Sequence, residues 1–250
     1  MPAGTANVSE LFVSFQGEGT HAGRRQLFVR FGGCPLRCRW CDTPGSLERV
    51  PECRVLGPDG ARRLANPLDV ATLDREVAAL RAVAPALHAV AVTGGEPLVQ
   101  ADFLGTWLGN DRLGLPVLLE TAGILPARLA RVLPHVAIVS LDVKLPSNTG
   151  ERARWDEHAE CLRLAAAAPV ETYVKVPVDD ATVPDEVAHA ASLVARLAPR
   201  APLFLTPLTA PDAPALRITP ATLDAFHAIA SAAHPDVRVL PQLHKALGIL

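Results

Sequence analysis

The chain has 250 residues, of which 49% are hydrophobic and 20% are charged, and its formal charge is −2 at pH 7. This composition is typical of a globular protein, and the charge argues against one that mainly grips the phosphate backbone of nucleic acid. Residues 1–10 lack the basic and apolar regions of a signal peptide, and apolar runs such as residues 164–170 are too short to span a bilayer. We therefore expect a cytoplasmic enzyme that works without nucleic acid or a membrane.

Short apolar segments alternate along the chain with segments of helical periodicity. The predicted strands are residues 26–31, 88–93, 116–120, 135–142, 171–177, 202–206 and 237–240. Residues 70–84 and 185–198 carry apolar side chains at helical spacing. This alternation predicts an α/β fold in which six to seven mostly parallel strands form a partial (β/α) TIM-like barrel with helices outside. We expect a single domain over residues 1–250.

One segment interrupts the alternation. A Gly-Pro-Asp-Gly turn at residues 57–60 separates two short runs, which predicts a hairpin. Because long insertions at the mouth of a site are often lids, we interpret residues 47–68 as an inserted hairpin or lid.

Polar and glycine-rich residues follow the predicted strands at the ends where parallel α/β proteins gather their chemistry. These segments are residues 32–41, 93–97, 120–123, 142–144 and 206–207. We therefore expect a site that is assembled from many strand ends.

Three of the five cysteines lie within eight residues, as Cys34, Cys38 and Cys41 in a C-x3-C-x2-C spacing. A disulfide framework needs an even number of dispersed cysteines, and structural zinc normally takes four ligands, of which Cys53 would be a distant fourth. Three buried small residues are a further alternative, although the interleaved charges make this a poor core segment. A four-iron cluster on three thiolates keeps one iron open for catalysis, and we favour it for the loop at residues 34–46. Cys53 and Cys161 are interpreted as ordinary thiols.

The cysteine spacing, followed by Gly94-Gly95-Glu96-Pro97 after a predicted strand, resembles the radical S-adenosylmethionine (SAM) superfamily. Read alone, the second motif is an ordinary strand-ending turn. The resemblance implies that the three cysteines hold a [4Fe-4S] cluster whose fourth iron binds SAM, and that reductive cleavage of SAM supplies the radical, so no other catalytic residue is required. The implied SAM contacts are Trp40, Cys41, Asp42, Gly94, Gly95, Glu96, Asp142 and Lys144.

Three further motifs resemble the 7-carboxy-7-deazaguanine synthase family from about residue 8 to residue 245. They are FVSFQGEG at 12–19, LFVRFGGC at 27–34 with its WCDT continuation at 40–43, and VRVLPQLH at 237–244. The resemblance implies a lyase that contracts 6-carboxy-5,6,7,8-tetrahydropterin to 7-carboxy-7-deazaguanine with loss of ammonia, in 7-deazapurine (queuosine) biosynthesis. It also implies Mg²⁺ on Thr43, a homodimer and an electron donor such as flavodoxin.

The implied substrate contacts suit a flat, amide-rich ring that carries a carboxylate. They are Phe15, Gln16, Gly17, Glu18, Arg30, Thr93 and His244. Gln16 offers a donor and an acceptor, Glu18 can accept from amidine N–H groups, and Arg30 can pair with a carboxylate. The alternatives are a capping turn at residues 16–18, a solvated arginine and a threonine cap at Thr43.

Asp142-Val143-Lys144 departs from the Ser-Pro-Lys that the family usually shows, and it is similar to the D-x-K element of glycyl-radical activating enzymes. Thr206 stands where many relatives carry glutamine. The alternatives are therefore such an activase, a radical SAM enzyme acting on another small heterocycle, or a non-catalytic iron–sulfur or zinc module. The first does not predict Gln16-Gly17-Glu18 or the ending Pro241-Gln-Leu-His244.

Overall fold

The computed structural model describes residues 2–84, 86–110, 113–210 and 215–249. The strands are β1 (Thr5–Ala6), β2 (Val8–Phe15), β3 (Arg25–Phe31), β4 (Glu52–Gly57), β5 (Gly60–Ala65), β6 (Leu68–Asp69), β7 (Ala89–Gly94), β8 (Val117–Thr121), β9 (Ile138–Asp142), β10 (Glu171–Val178), β11 (Leu203–Pro207) and β12 (Val237–Val239). The α-helices are α1 (Val70–Val83), α2 (Ala101–Leu108), α3 (Pro126–Val132), α4 (Pro146–Thr149), α5 (Trp155–Ala167), α6 (Pro184–Leu197), α7 (Pro220–Ser231) and α8 (Leu243–Leu247).

Ten strands of the described residues form one sheet in the order β12-β11-β10-β9-β8-β7-β3-β2-β4-β5. The seven strands from β12 to β3 in this order are parallel to their neighbours, whereas β2 is antiparallel to β3. Within the described part of the chain, β12 and β5 do not pair with each other, so the sheet stays open. The predicted α/β fold with mostly parallel strands is confirmed.

Helices connect the parallel strands, and the side chain of the residue before the helix caps two of them. The Asp69 carboxylate caps α1 by accepting a hydrogen bond from the Thr72 N–H at 2.7 Å, and the Thr219 hydroxyl caps α7 in the same way. Leu73, Val77 and Leu80 of α1 are buried, as their spacing predicts. Val83, which shares the spacing, is 57% exposed because the helix ends there.

The two faces of the parallel strands have different partners, because successive side chains point to opposite sides. On β7, Val90 and Val92 belong to the large core that also contains Trp107 and Leu129 of the helices. Thr93 points to the other face and lines a cavity. The cavity therefore lies inside the curve of the sheet, and the helices lie outside it.

The inserted segment is a hairpin of β4 and β5. It extends the sheet because β4 pairs in parallel with β2. Of the predicted segment, residues 47–68, Leu47 alone lines the cavity in the described structure, and Arg54 of β4 lies 3.5 Å from the cavity residue Glu10. The segment thus supports one wall of the site from behind.

The described helices include none with the length and apolar character that a membrane span requires.

Candidate active site

A cavity of about 460 Å³ opens at the carboxyl ends of the parallel strands. Its walls come from the end of β2, the cysteine loop, the ends of β3, β7, β8, β9, β10 and β11, and the C-terminal segment. The predicted site residues that line it are Phe15, Gln16, Gly17, Glu18, Arg30, Cys34, Cys38, Trp40, Cys41, Asp42, Thr43, Thr93, Gly94, Gly95, Asp142, Lys144 and His244. Segments more than 200 residues apart in sequence therefore face one volume.

Backbone hydrogen bonds hold the cysteine loop. The Gly33 and Cys34 N–H groups donate to the carbonyls of Ser46 and Leu47, at 2.8 and 2.9 Å. The Cys41 N–H donates to the Cys38 carbonyl at 3.1 Å, which closes a turn between two of the cysteines. The loop leaves and rejoins the fold at fixed points, and the thiols between them are half-buried.

The donor chemistry of this loop suits an iron–sulfur cluster. All three thiols are free and line the cavity. Burial raises the pKa of Cys34 to about 11 and also raises that of Cys38. Assembly of a cluster there would therefore release thiol protons. Among the described residues, no three His, Cys, Asp or Glu side chains already converge as a metal-binding group, so the loop supplies the donors without a closed ligand set.

The glycines after β7 are required by close packing. Gly94 has a φ of +148°, and a Cβ at this position would lie 2.2 Å from the Phe31 carbonyl oxygen. A Cβ on Gly95 would lie 2.4 Å from the Ser46 carbonyl oxygen and 2.9 Å from the Cys34 Cβ. Only glycine lets this turn pack directly against the cysteine loop while its backbone faces the cavity.

Glu96 departs from the prediction that it faces a ligand. It is fully buried and does not line the cavity. Its carboxylate accepts hydrogen bonds from the Leu98 and Ala122 N–H groups at 3.0 and 2.7 Å and from the Thr121 hydroxyl at 3.0 Å. Burial raises its pKa to about 7 in spite of these donors. The side chain therefore ties the glycine turn to the end of β8.

Glu120 organises the part of the cavity wall that contains Gln16 and Thr93. Its carboxylate accepts hydrogen bonds from the Gln16 amide at 2.8 Å and from the Thr93 hydroxyl at 2.9 Å. The Gln16 amide also donates to Gln26 at 3.2 Å, and its oxygen accepts from the Glu18 N–H at 3.1 Å. Gln16 was predicted to offer both a donor and an acceptor to a ligand. In the structure its donors serve the protein, and only its oxygen keeps a free position.

Arg30 is held from three sides. Its Nε donates to the Glu10 carboxylate at 3.1 Å, and its guanidinium lies 5.3 Å from the centre of the Phe12 ring. Phe12 in turn stacks on Phe28 with ring centres 5.0 Å apart. The Arg30 Nη1 faces the Thr43 hydroxyl at 3.4 Å. The guanidinium is therefore fixed at the cavity wall beside Thr43.

Four alternating charges run along the base of the cavity. The Lys175 ammonium pairs with the Glu18 carboxylate and lies 3.1 Å from the Asp142 Oδ1. The Lys144 ammonium lies 2.6 Å from the Asp142 Oδ2 and 4.6 Å from the centre of the Trp40 ring. Burial disfavours the charged lysines, but the Asp142 and Glu18 carboxylates outweigh it and raise the pKa of Lys175 well above its ordinary value. Both Asp142 oxygens thus face lysines, which leaves less of the carboxylate for a ligand than predicted.

The C-terminal segment closes the cavity. The Gln242 amide donates to Glu18 and Asp42 at 3.0 and 3.1 Å. His244 packs on Gly17 so closely that a Cβ there would lie 2.0 Å from its Nδ1. Burial would raise the pKa of Asp42, but nearby cations, with Lys245 first, keep it below its ordinary value. The segment therefore binds the Gln16–Glu18 turn and the cysteine loop together.

Four residues without a predicted role also line the cavity, namely Lys175, Glu120, Gln242 and Glu10. Lys175 had a usable indication, because it is a charged residue between two valines of a predicted apolar strand. Glu120 and Gln242 lie in two segments described above, the polar strand end at residues 120–123 and the motif at residues 237–244. Glu10 carried no comparable indication.

The family model described as the radical SAM superfamily matches residues 28–190, which include the cysteine loop and most of the parallel strands. The class is therefore that of the radical SAM enzymes. The chain is 36% identical to the 7-carboxy-7-deazaguanine synthase of Geobacter sulfurreducens over 98% of each chain. It is 33% identical to that of Methanopyrus kandleri, over 100% of this chain and 96% of the relative. The chain belongs to the 7-carboxy-7-deazaguanine synthase family of the radical SAM superfamily.

Solved structures support the fold. The crystal structure of QueE from Escherichia coli matches with a TM-score of 0.60 over 96% of this chain and 95% of that chain, at 21% identity. A radical SAM methyltransferase from Sphaerobacter thermophilus matches with a TM-score of 0.58 over 93% of this chain and 77% of that chain, at 16% identity. The shared architecture thus extends to proteins of different activity.

Proposed function

We propose that this protein makes 7-carboxy-7-deazaguanine, the compound in the names of its relatives, by contracting 6-carboxy-5,6,7,8-tetrahydropterin with loss of ammonia, as the family resemblance implies. The observation that carries the proposal is that one cavity is lined both by the three cysteines and by the groups that a carboxylated pterin needs. Its volume of about 460 Å³ lies in the range of small-molecule sites. The product feeds 7-deazapurine (queuosine) biosynthesis in this proposal.

Cys34, Cys38 and Cys41 would hold a [4Fe-4S] cluster, and SAM would lie against Trp40, Gly94, Gly95 and Lys144. When bound, the reduced cluster and SAM would supply the radical that abstracts a hydrogen atom from C6 of the pterin. The cavity side chains orient the ring and exclude water, as proteins do around a reactive cofactor.

Arg30 is the proposed partner of the substrate carboxylate. Glu10 holds its Nε and the Thr43 hydroxyl faces its Nη1, so Nη2 and the second hydrogen of Nη1 remain for the pairing. Glu18 is the proposed acceptor for the amidine N–H groups of the ring, with its carboxylate kept ionised by Lys175. Burial raises the pKa of Glu18, but the charge of Lys175 outweighs it, and the net pKa is lowered. Phe15, Thr93 and His244 complete the substrate wall in this proposal.

Thr43 is the proposed protein ligand of Mg²⁺. Its hydroxyl lies 3.2 Å from the Asp42 carboxylate and 3.4 Å from the Arg30 Nη1. An ion held by Thr43 would supply positive charge on the side of the cavity where Arg30 is proposed to bind the substrate carboxylate. Mg²⁺ prefers oxygen donors and takes few of them from the protein, which fits this set. From the family resemblance we also propose that the protein is a cytoplasmic homodimer and that an electron donor such as flavodoxin reduces the cluster.

The test is an anaerobic assay of reconstituted protein with SAM, dithionite, Mg²⁺ and the carboxytetrahydropterin. We expect the 7-deazapurine product and ammonia. Cleavage of SAM without formation of a deazapurine would contradict the proposed substrate. It would favour a glycyl-radical activase or a radical SAM enzyme that acts on another small heterocycle. Intact SAM and no four-iron spectrum would contradict the whole proposal.

The Mg²⁺ ligand is tested by Thr43→Ala, which should lose most of the activation by Mg²⁺. Thr43→Ser keeps the hydroxyl and should respond to Mg²⁺ as the unchanged protein does. Equal Mg²⁺ activation of all three would remove Thr43 as a ligand.

A further inference from the structure

Lys175 is a buried cation whose one role in the proposal above is to keep the Glu18 carboxylate ionised. It lies on β10, is 4% exposed and points into the cavity. Its neighbours on the strand are apolar, namely Val174 and Val176, which belong to the core. Replacing a buried charge by a well-packed apolar residue is often neutral or stabilising. A gain in folding stability therefore does not explain why a lysine stands at this position.

The partners of Lys175 belong to different walls. Glu18 follows β2 on the proposed pterin side, and Asp142 ends β9 on the proposed SAM side. The Lys175 ammonium contacts both carboxylates. A single side chain therefore fixes the spacing between the two walls.

The two carboxylates depend on Lys175 to different extents. Asp142 also pairs with Lys144 at 2.6 Å. Among the ion pairs of the described residues, Glu18 pairs with Lys175 alone, and its other side-chain partner is the neutral Gln242 amide. Removing the ammonium leaves Glu18 without its ion-pair partner, whereas Asp142 keeps Lys144.

We propose that Lys175 is a positioning residue for substrate binding: it holds the Glu18 carboxylate in place for the pterin ring, while Asp142, anchored by Lys144, holds Lys175. This inference rests on the proposed function and deepens it. It also gives Asp142 a task within the protein, which accounts for an acidic side chain beside Lys144.

The experiment measures equilibrium binding of the pterin and of SAM to reconstituted enzyme by calorimetry without reductant, so that no turnover occurs. Lys175→Met should weaken pterin binding about 30-fold, because truncating one partner of a buried charge pair leaves the other unpaired. SAM binding should change less than about threefold, because Asp142 keeps Lys144. Lys144→Met, the matched variant on the other wall, should weaken SAM binding more than pterin binding.

A double-mutant cycle with Glu18→Gln completes the test. Glu18→Gln should reproduce the loss of pterin binding, and adding Lys175→Met should cost no more than about threefold further. If Lys175→Met melts or fails to fold, the double variant carries the comparison, because it contains no unpaired Glu18 carboxylate. Equal losses for SAM and pterin, no loss of pterin binding, or an additional tenfold loss in the double variant would each overturn the inference.

The unchanged protein separates this inference from the proposed function. If it forms no deazapurine, the proposed function fails whatever the variants do. If it forms the product and the variants lack the expected difference between the two ligands, only the role of Lys175 fails.

Discussion

The cysteines are fixed largely through the backbone of their loop, whereas the groups around Glu120 are fixed through their side chains. The N–H groups of Gly33, Cys34 and Cys41 donate to backbone carbonyls, and the thiols remain free. The Gln16 amide and the Thr93 hydroxyl both donate to the Glu120 carboxylate. The loop thus presents free thiols at fixed positions, whereas the Glu120 network presents a polar surface whose donors are already satisfied.

The difference shows how each wall responds to substitution. A side chain that carries chemistry on a backbone-held loop can be removed without collapse of the loop, so its loss should appear mainly in the cofactor. A side chain in a hydrogen-bonded network leaves unsatisfied partners when it is changed, so its loss should spread to its neighbours. The following variants test this contrast.

The largest effect is expected for Cys38→Ala, which should abolish both cluster binding and activity while the protein stays folded. Iron content and the spectrum of the reconstituted protein measure cluster binding, product formation measures activity, and circular dichroism measures folding. Cys161→Ala is the matched control, because Cys161 is buried away from the cavity, and its iron content should be unchanged. A folded Cys38→Ala protein with full iron content would remove this cysteine from the proposed ligand set.

Glu120→Gln should lower kcat/KM by about 100-fold, since two hydrogen bonds to a charged group are weakened together. The amide retains one acceptor oxygen, so Gln16 and Thr93 cannot both keep their present bonds. Steady-state kinetics measure the loss. Glu160→Gln removes a surface partner of Arg163 and should leave the kinetics unchanged. If Glu120→Gln is equally silent, the network does not organise the substrate wall.

The stability of the protein should fall with rising pH through Glu96. Its folded-state pKa of about 7 lies above the ordinary 4.5, so its contribution is full below pH 4.5 and is lost as the pH passes 7. Between about pH 5.5 and about pH 8.5 the unchanged protein should lose about 2 kcal/mol relative to Glu96→Gln. Denaturant unfolding at the two pH values measures this difference. A constant difference would show that the Glu96 carboxyl does not titrate there.

The smallest effect is expected for Glu10→Gln, which removes the charge that holds the Nε of Arg30. Pterin binding should weaken about tenfold through loss of a charge-assisted hydrogen bond, and SAM binding should not change. Arg54→Gln is the control, because the half-exposed Arg54 lies 3.5 Å from Glu10 and contributes less. Equal effects of the two variants would mean that Glu10 does not position Arg30.

The sequence was most informative where the residues that act together lie close to one another in the chain. The spacing of Cys34, Cys38 and Cys41 indicates the cluster, because the donors lie on one loop. The apolar strands and the periodicity of α1 predict the parallel sheet. Glu96 shows the limit of motif reasoning, since its place beside two cavity glycines did not reveal that its carboxylate turns to Thr121 and Ala122.

The strand–helix alternation, the three-cysteine loop and the family can be predicted from the sequence, because each depends on residues that are close in the chain or fixed in motifs. The pairing of side chains across the cavity follows from the tertiary structure. Lys175 meets Glu18 across 157 positions, and Gln242 meets Glu18 across 224. Such pairs form because burial forces each charge and amide to find a partner, and the partner is chosen by the folding of the sheet.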